Sequence, residues 1–212
     1  GELLRLGAAH TVTVEGGVIR YDTEALMTVN ELSQRQPHNI SNTLAAIGLC
    51  HGFCDTGKIR EVAMTFTAPH HRCEAVHRSR TGVTFIDSSI DTTPSRTATT
   101  LSWFGKKVLL LLGGRGKGLP MTPLSDPIKT YARAVAIYGE VGCEMYNFLT
   151  EVCGGIPITL HDGFCEAVIS LGKIAREGDT VLLSPAATAY GEFENYEKRG
   201  EYFTQLVKEM YP

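Results

Sequence analysis

From Arg72 onward the chain alternates short aliphatic runs with amphipathic stretches, and that alternation restricts it to βαβ units on a mostly parallel sheet. Strands are expected near Val83–Asp87, Lys107–Leu112, Arg133–Tyr138, Ile156–Leu160 and Thr180–Leu183. Helices are expected near Ser95–Trp103, Asp126–Ala132, Glu140–Leu149, Gly163–Arg176 and Lys198–Met210. The last carries Tyr202, Phe203, Leu206, Val207 and Met210 at helical spacing, which gives it one apolar face to lay on a sheet. Ala75–Arg78 and Val83–Asp87, joined by Ser-Arg-Thr-Gly, read as a hairpin that adds an edge strand. Short connections and right-handed crossovers make a three-layer α/β domain the expected architecture.

Residues 1–69 have a different pattern. Strand-like pieces fall at Thr11–Val14, Val18–Tyr21 and Leu26–Glu31. A helix starting near His38 sets Ile40, Leu44, Ile47 and Cys50 along one side, and a second over Lys58–Phe66 turns Ile59, Val62, Ala63 and Phe66 inward. This segment reads as the tail of a separate domain, and the abrupt start without an initiator Met is that expected of a trimmed chain. The boundary is expected at Thr67-Ala-Pro-His70, where Pro69 stiffens a short connection, giving domains 1–69 and 70–212.

A length of 212 residues fits one large domain, or one complete domain with part of another. The formal net charge of -3, with Lys and Arg interspersed, argues against nucleic-acid or membrane-surface partners and for small molecules. No run approaches the roughly 18 apolar residues that span a bilayer, so a cytoplasmic protein is expected, taken here as a monomer. Its six cysteines are read as small buried thiols. Cys50, His51, Cys54, His70, His71 and Cys73 fit no standard zinc spacing, and no metal site is expected among them.

Several segments combine chemistry with a strand end or helix start. Val181-Leu-Leu-Ser-Pro runs from a strand into an aromatic loop, so Ser184, Tyr190, Phe193 and Tyr196 are placed to line a pocket beyond the sheet. Asn39 and Asn42, three apart at a helix start, bear carboxamides suited to an adenine edge; an N-cap by Asn39 is the plainer role. Arg72, beside His71 at the boundary, offers a fork for phosphate or carboxylate, or else a surface pair with Glu74. Asp87 opens the hydroxyl-rich loop Ser88–Thr97, in which Thr92 and its neighbours are ligands or turn formers and Ser95 is the expected helix cap. Leu112-Gly-Gly-Arg-Gly-Lys-Gly118 is not a Walker loop, because Leu111 and Gly118 stand where Gly and Ser or Thr are required. It reads as a Gly-rich turn that carries Lys117 over the sheet end as a point charge.

Taken in order, Pro37–Asn42, Pro69–Arg72, Asp87–Thr97, Leu111–Lys117 and Val181–Gly200 resemble the C-terminal half of the Mur ligases, most closely the D-glutamate-adding branch. Ser184, Pro185, Ala186, Phe193, Asn195, Arg199 and Gly200 match that branch's Ser-Pro loop and Arg-Gly pair. The resemblance implies a Rossmann-like domain with a mostly parallel sheet, preceded by the C-terminal part of a P-loop-type central ATPase domain. It implies ATP-dependent amide formation in peptidoglycan precursor synthesis: ATP phosphorylates the carboxylate of UDP-N-acetylmuramoyl-L-alanine, and the D-glutamate amine attacks the acyl phosphate. Asn39, Asn42, His71, Arg72 and Asp87 would lie at ATP, and Lys117, Ser184, Thr92, Tyr190 and Tyr196 at D-glutamate. Lys117, Arg72 and Asp87 would have catalytic roles. Mg2+ would be bound mainly by parts absent from this chain, with no metal ligand here, and the chain alone is expected to be inactive. Ser89 replaces a family Lys, Asp91 a Thr and Ala189 a Ser, leaving Arg96 or Arg72 to supply charge and Tyr190 and Tyr196 to supply polar contacts. The rival readings are a sister ligase, such as a folylpolyglutamate synthase, adding a different amino acid, and a noncatalytic α/β binding module.

Overall fold

The computed structural model describes residues 3–6, 10–35 and 37–212. The chain forms two compact units, Gly1–Pro69 and His70–Pro212. In the first, β1 (Leu3–Leu6), β2 (His10–Glu15), β3 (Val18–Tyr21) and β4 (Glu24–Thr28) make an antiparallel sheet in that order. Helices α1 (Pro37–Cys50) and α2 (Thr56–Thr65) contribute Leu44, Ile47 and Ile59 to a core with Val12, Ile19, Leu26, Met27 and Leu32.

Three expectations for this unit are corrected. The strand expected to reach Glu31 stops at Thr28, because the Glu31 carboxylate accepts the Thr28 backbone N–H at 2.8 Å and its hydroxyl at 2.9 Å, bending Val29–Glu31 into a 3-10 turn. Val62 and Phe66 are exposed rather than inward, at 61% and 48%. Ile59 and Ala63, four apart, take the core side of α2, while Phe66 lies past its last turn. Cys50, at the end of α1, is likewise exposed.

The second unit is a three-layer α/β domain. Its strands are β5 (Glu74–Arg78), β6 (Thr84–Asp87), β7 (Val108–Gly113), β8 (Ala132–Tyr138), β9 (Ile158–Leu160) and β10 (Thr180–Leu183), in spatial order β5-β6-β10-β7-β8-β9. All neighbours pair in parallel except β5, which forms the expected antiparallel edge hairpin with β6. The run Val108–Gly113 is buried along its whole length because both faces are covered. Val108, Leu110, Leu112, Val135, Ile137 and Leu182 pack under α3 (Pro94–Phe104), α4 (Ser125–Tyr131) and α5 (Gly142–Val152), through Leu101, Ile128, Met145 and Leu149. On the opposite face Leu109, Leu111, Ala136, Val181 and Leu183 meet α6 (Phe164–Ile174) and α7 (Tyr196–Met210), through Val168, Leu171, Phe203 and Val207. Helix α3 starts at Pro94 with Thr93 as its cap residue, so Ser95 lies inside the first turn and does not cap it. Among the described residues no helix is long and apolar enough to cross a membrane.

The sheet's carboxyl rim depends on close backbone approach. Gly114 has φ +125°, its N–H donates to the Tyr138 carbonyl, and a Cβ there would collide with the Thr188 carbonyl oxygen. Gly114→Ala is therefore expected to cost about 3 kcal/mol through combined backbone strain and overpacking. Urea denaturation of the chain measures it, and an unchanged midpoint would contradict the packing described here.

The cysteines also differ from expectation. Only Cys153 is buried; Cys73 and Cys165 are partly so, and Cys50, Cys54 and Cys143 are exposed. Burial pushes the Cys73 thiol up to about 11, against its hydrogen bond to Ser88, so at pH 8 only about a thousandth of it is thiolate. Iodoacetamide at pH 8 should label Cys50, Cys54 and Cys143 well before Cys73 and Cys153, as peptide mass spectrometry would report.

Candidate functional site

The strand order brings the candidate segments together. Because β10 lies between β6 and β7 and runs parallel to both, Asp87, Gly113 and Leu183 end at the same rim. The loops that follow are then stitched to one another by backbone hydrogen bonds. Gly113 N–H donates to Pro185 at 2.9 Å, Arg115 and Thr188 exchange two bonds at 3.0 and 2.9 Å, and Ala186 N–H donates to Asp91 at 2.9 Å. Ala186 adopts φ +58°, which turns the chain sharply after Pro185.

Lys117 is exposed on the Gly-rich turn and its Nζ donates to the Thr92 hydroxyl at 3.1 Å, so the turn after β7 and the loop after β6 meet at an ammonium group. Beside it is a shallow cleft walled by Pro94, Met121, Val141 and Met145, with Glu144 as its other charged group. The Lys117 ammonium there is an exposed point charge available to an anionic group.

Under this exposed layer lies a buried polar one. Ser184 is fully buried, and its hydroxyl donates to Asp91 Oδ2 at 2.8 Å beside Thr97 Oγ1 at 3.0 Å; Thr97 in turn donates to the Ser184 carbonyl at 3.0 Å. Asp91 thus serves as the acceptor that fixes the Ser-Pro corner. Asp87 is equally buried. Its Oδ1 accepts the Ser89 N–H at 2.8 Å and the Ser89 hydroxyl, while Oδ2 lies 2.7 Å from His71 Nδ1. His71 adopts φ +62° to reach it, and the pair fits against Gly200 so closely that a Cβ at position 200 would strike both side chains. Tyr196 meets the His71 ring edge-on at 6.2 Å.

The remaining candidates divide by exposure. Arg72 is half-buried and, with Arg96, acts electrostatically on Tyr196, whose phenol is raised chiefly by its hydrogen bond to Glu197 while the two guanidinium charges oppose the shift. Tyr190 projects at 57% exposure from a loop held at its base by Phe193, which packs edge-on to Phe164 at 5.2 Å. In the other unit Asn39 is buried within the first turn of α1 and Asn42 is exposed one turn on, so Asn39 is a helical residue and not the cap.

Sequence reasoning gave no role to a residue whose side chain makes four hydrogen bonds at the rim. Arg199, matched above only as part of an Arg-Gly pair, is fully buried and donates to the Ser89 carbonyl at 3.0 Å, Ala187 at 3.1 Å, Gly113 at 3.4 Å and the Tyr138 hydroxyl at 3.4 Å. Burial raises the Tyr138 phenol, and the nearby Arg199 charge works against that. Its helical phase shared with Phe203 and Leu206 was the signal, since that phase puts position 199 on the sheet side. Among the described residues no group of three or more His, Cys, Asp and Glu is placed to hold a metal ion.

No family model matches the chain. Curated relatives do. It is 33% identical over 186 residues to the UDP-N-acetylmuramoylalanine–D-glutamate ligase of Clostridium novyi, covering 86% of this chain and 40% of that protein. The corresponding ligase of Nitrosospira multiformis is 34% identical over 200 residues, covering 92% and 41%. The chain thus spans about two fifths of the length of these relatives. Among solved structures, the UDP-N-acetylmuramate–alanine ligase of Thermotoga maritima superposes with TM-score 0.64 at 16% identity, over 95% of this chain and 44% of that one. A Mycobacterium tuberculosis folylpolyglutamate synthase complexed with ADP gives 0.66 at 11% identity, over 94% and 47%; both show the shared fold. Over most of its length the chain is homologous to the D-glutamate-adding members of the Mur ligase family.

Proposed function

We propose that this chain is the C-terminal part of an ATP-dependent ligase that joins D-glutamate to UDP-N-acetylmuramoyl-L-alanine in the cytoplasm, and that His70–Pro212 is its amino-acid-binding domain. Gly1–Pro69 is then the end of a central ATP-binding domain. The observation that carries the reading is the meeting of Lys117 and Thr92 at the sheet rim, in a chain homologous to D-glutamate ligases.

In this reading the Lys117 ammonium, with the Thr92 hydroxyl, binds a carboxylate of the amino acid and holds its amine for attack on the acyl phosphate. Ser184 acts through Asp91 to keep the Ser-Pro corner in place, and Tyr190 and Tyr196 flank the ligand. Asn39, Asn42, His71, Arg72 and Asp87 serve the nucleotide, with Asp87 orienting the His71 ring. Arg72 and Arg96 supply the positive charge that Ser89 cannot. ATP would provide the phosphoryl group, and the chain contains no Walker pattern of its own to cradle the phosphates.

Lys117→Ala in the longer ligase should lower kcat/KM for D-glutamate by about 30- to 150-fold, the effect of losing a charge-assisted hydrogen bond of roughly 2–3 kcal/mol. The melting temperature should hold, because Lys117 is exposed. An unchanged KM for D-glutamate, or better turnover with another amino acid, would favour a sister ligase. The 212-residue chain alone should release no phosphate from ATP in a coupled assay.

A further inference from the structure

Arg199 is a permanent cation in an electrostatically poor position. It lies in the first turn of α7, where the helix N-terminus already concentrates positive potential, and it is fully buried. None of its hydrogen bonds reaches a carboxylate, and Nε has no partner. Neutral side chains of similar length would avoid that desolvation cost. What only a guanidinium provides here is a planar fork that reaches several carbonyls at once.

Those carbonyls belong to the three rim segments. Ser89 follows β6 and precedes Thr92; Gly113 ends β7 and precedes Lys117; Ala187 follows β10 and precedes Tyr190. In each case the clamped carbonyl lies three or four residues before a group proposed above to face the amino acid. We propose that Arg199 is the positioning residue of this site: it sets the spacing of the three loops and so the geometry with which Lys117, Thr92 and Tyr190 meet an acidic amino acid. The ligand part of this inference rests on the function proposed above; the clamp itself does not.

The test uses the 212-residue chain with Arg199→Lys, Arg199→Gln and, as a control for general destabilisation, Phe203→Leu in the same helix. Amide hydrogen exchange and amide chemical shifts are followed with and without D-glutamate. Both Arg199 variants should exchange at least tenfold faster at residues 88–92, 113–117 and 186–190 relative to the amides of β7 and β8, and should bind D-glutamate at least tenfold more weakly. Phe203→Leu should move rim and core exchange together. Wild-type behaviour in Arg199→Lys would show that charge alone suffices and overturn the fork. Rim exchange that only follows the core, or unfolding of both Arg199 variants, would make Arg199 a general fold residue and also overturn the proposal. If the wild-type chain shows no D-glutamate-dependent shifts, the glutamate reading of this rim fails, and the exchange comparison by itself decides the clamp.

Discussion

Because β10 hydrogen-bonds in parallel to β6 on one side and β7 on the other, three strand ends remote in sequence are held at neighbouring positions about 5 Å apart. The loops that leave those ends cannot avoid one another. Their backbone groups pair, Arg115 with Thr188 and Ala186 with Asp91, and the glycines of the Gly-rich turn permit an approach that a side chain would block. The location of Lys117 over Thr92 is thus a result of strand order more than of any attraction between the two side chains, whose single exposed contact is weak in water.

The rim has two layers with different physical jobs. The outer one, with Lys117, Tyr190 and Arg96, is exposed and can exchange water for a ligand. The inner one, with Asp87, Asp91, Ser184 and Arg199, is buried, and each of these groups is engaged with a neighbouring side chain or carbonyl. Buried polar groups of this kind are costly when left unpaired, so they favour one arrangement of the loops above them. Asp87 and Arg199 are linked without a direct ion pair: Arg199 touches the Ser89 backbone, and Ser89 donates to Asp87.

Much of this was readable from residues. The period of the apolar runs located the strands of the second unit and the edge hairpin, because a parallel sheet covered on both sides demands unbroken aliphatic segments such as Val108–Leu112. The Gly-rich turn and the Ser-Pro corner were recognisable as strand-to-loop junctions. What the sequence concealed was partnership. A glutamate three residues past a threonine, at capping-box spacing, ended β4 early, a signal outweighed in the reading by the strand-like run from Leu26 to Glu31. Val62 fitted an apolar face by composition and missed it by phase, and Phe66 falls past the end of α2. Asp91 read as a departure from a pattern until its bond to Ser184 was visible, and Arg199 read as one half of an Arg-Gly pair with no task of its own, because arginine is seldom fully buried.

The strand order also bears on how the chain acquires its structure. β10 is the last strand to be made yet sits inside the sheet, so during synthesis β6 and β7 wait with open edges until residues 180–183 arrive. The rim cannot be complete before β10, the Ser-Pro corner and Arg199 are present. A ribosome-bound chain that stops short of them lacks the middle of the domain, not its margin, and exposes two unpaired strand edges to aggregation.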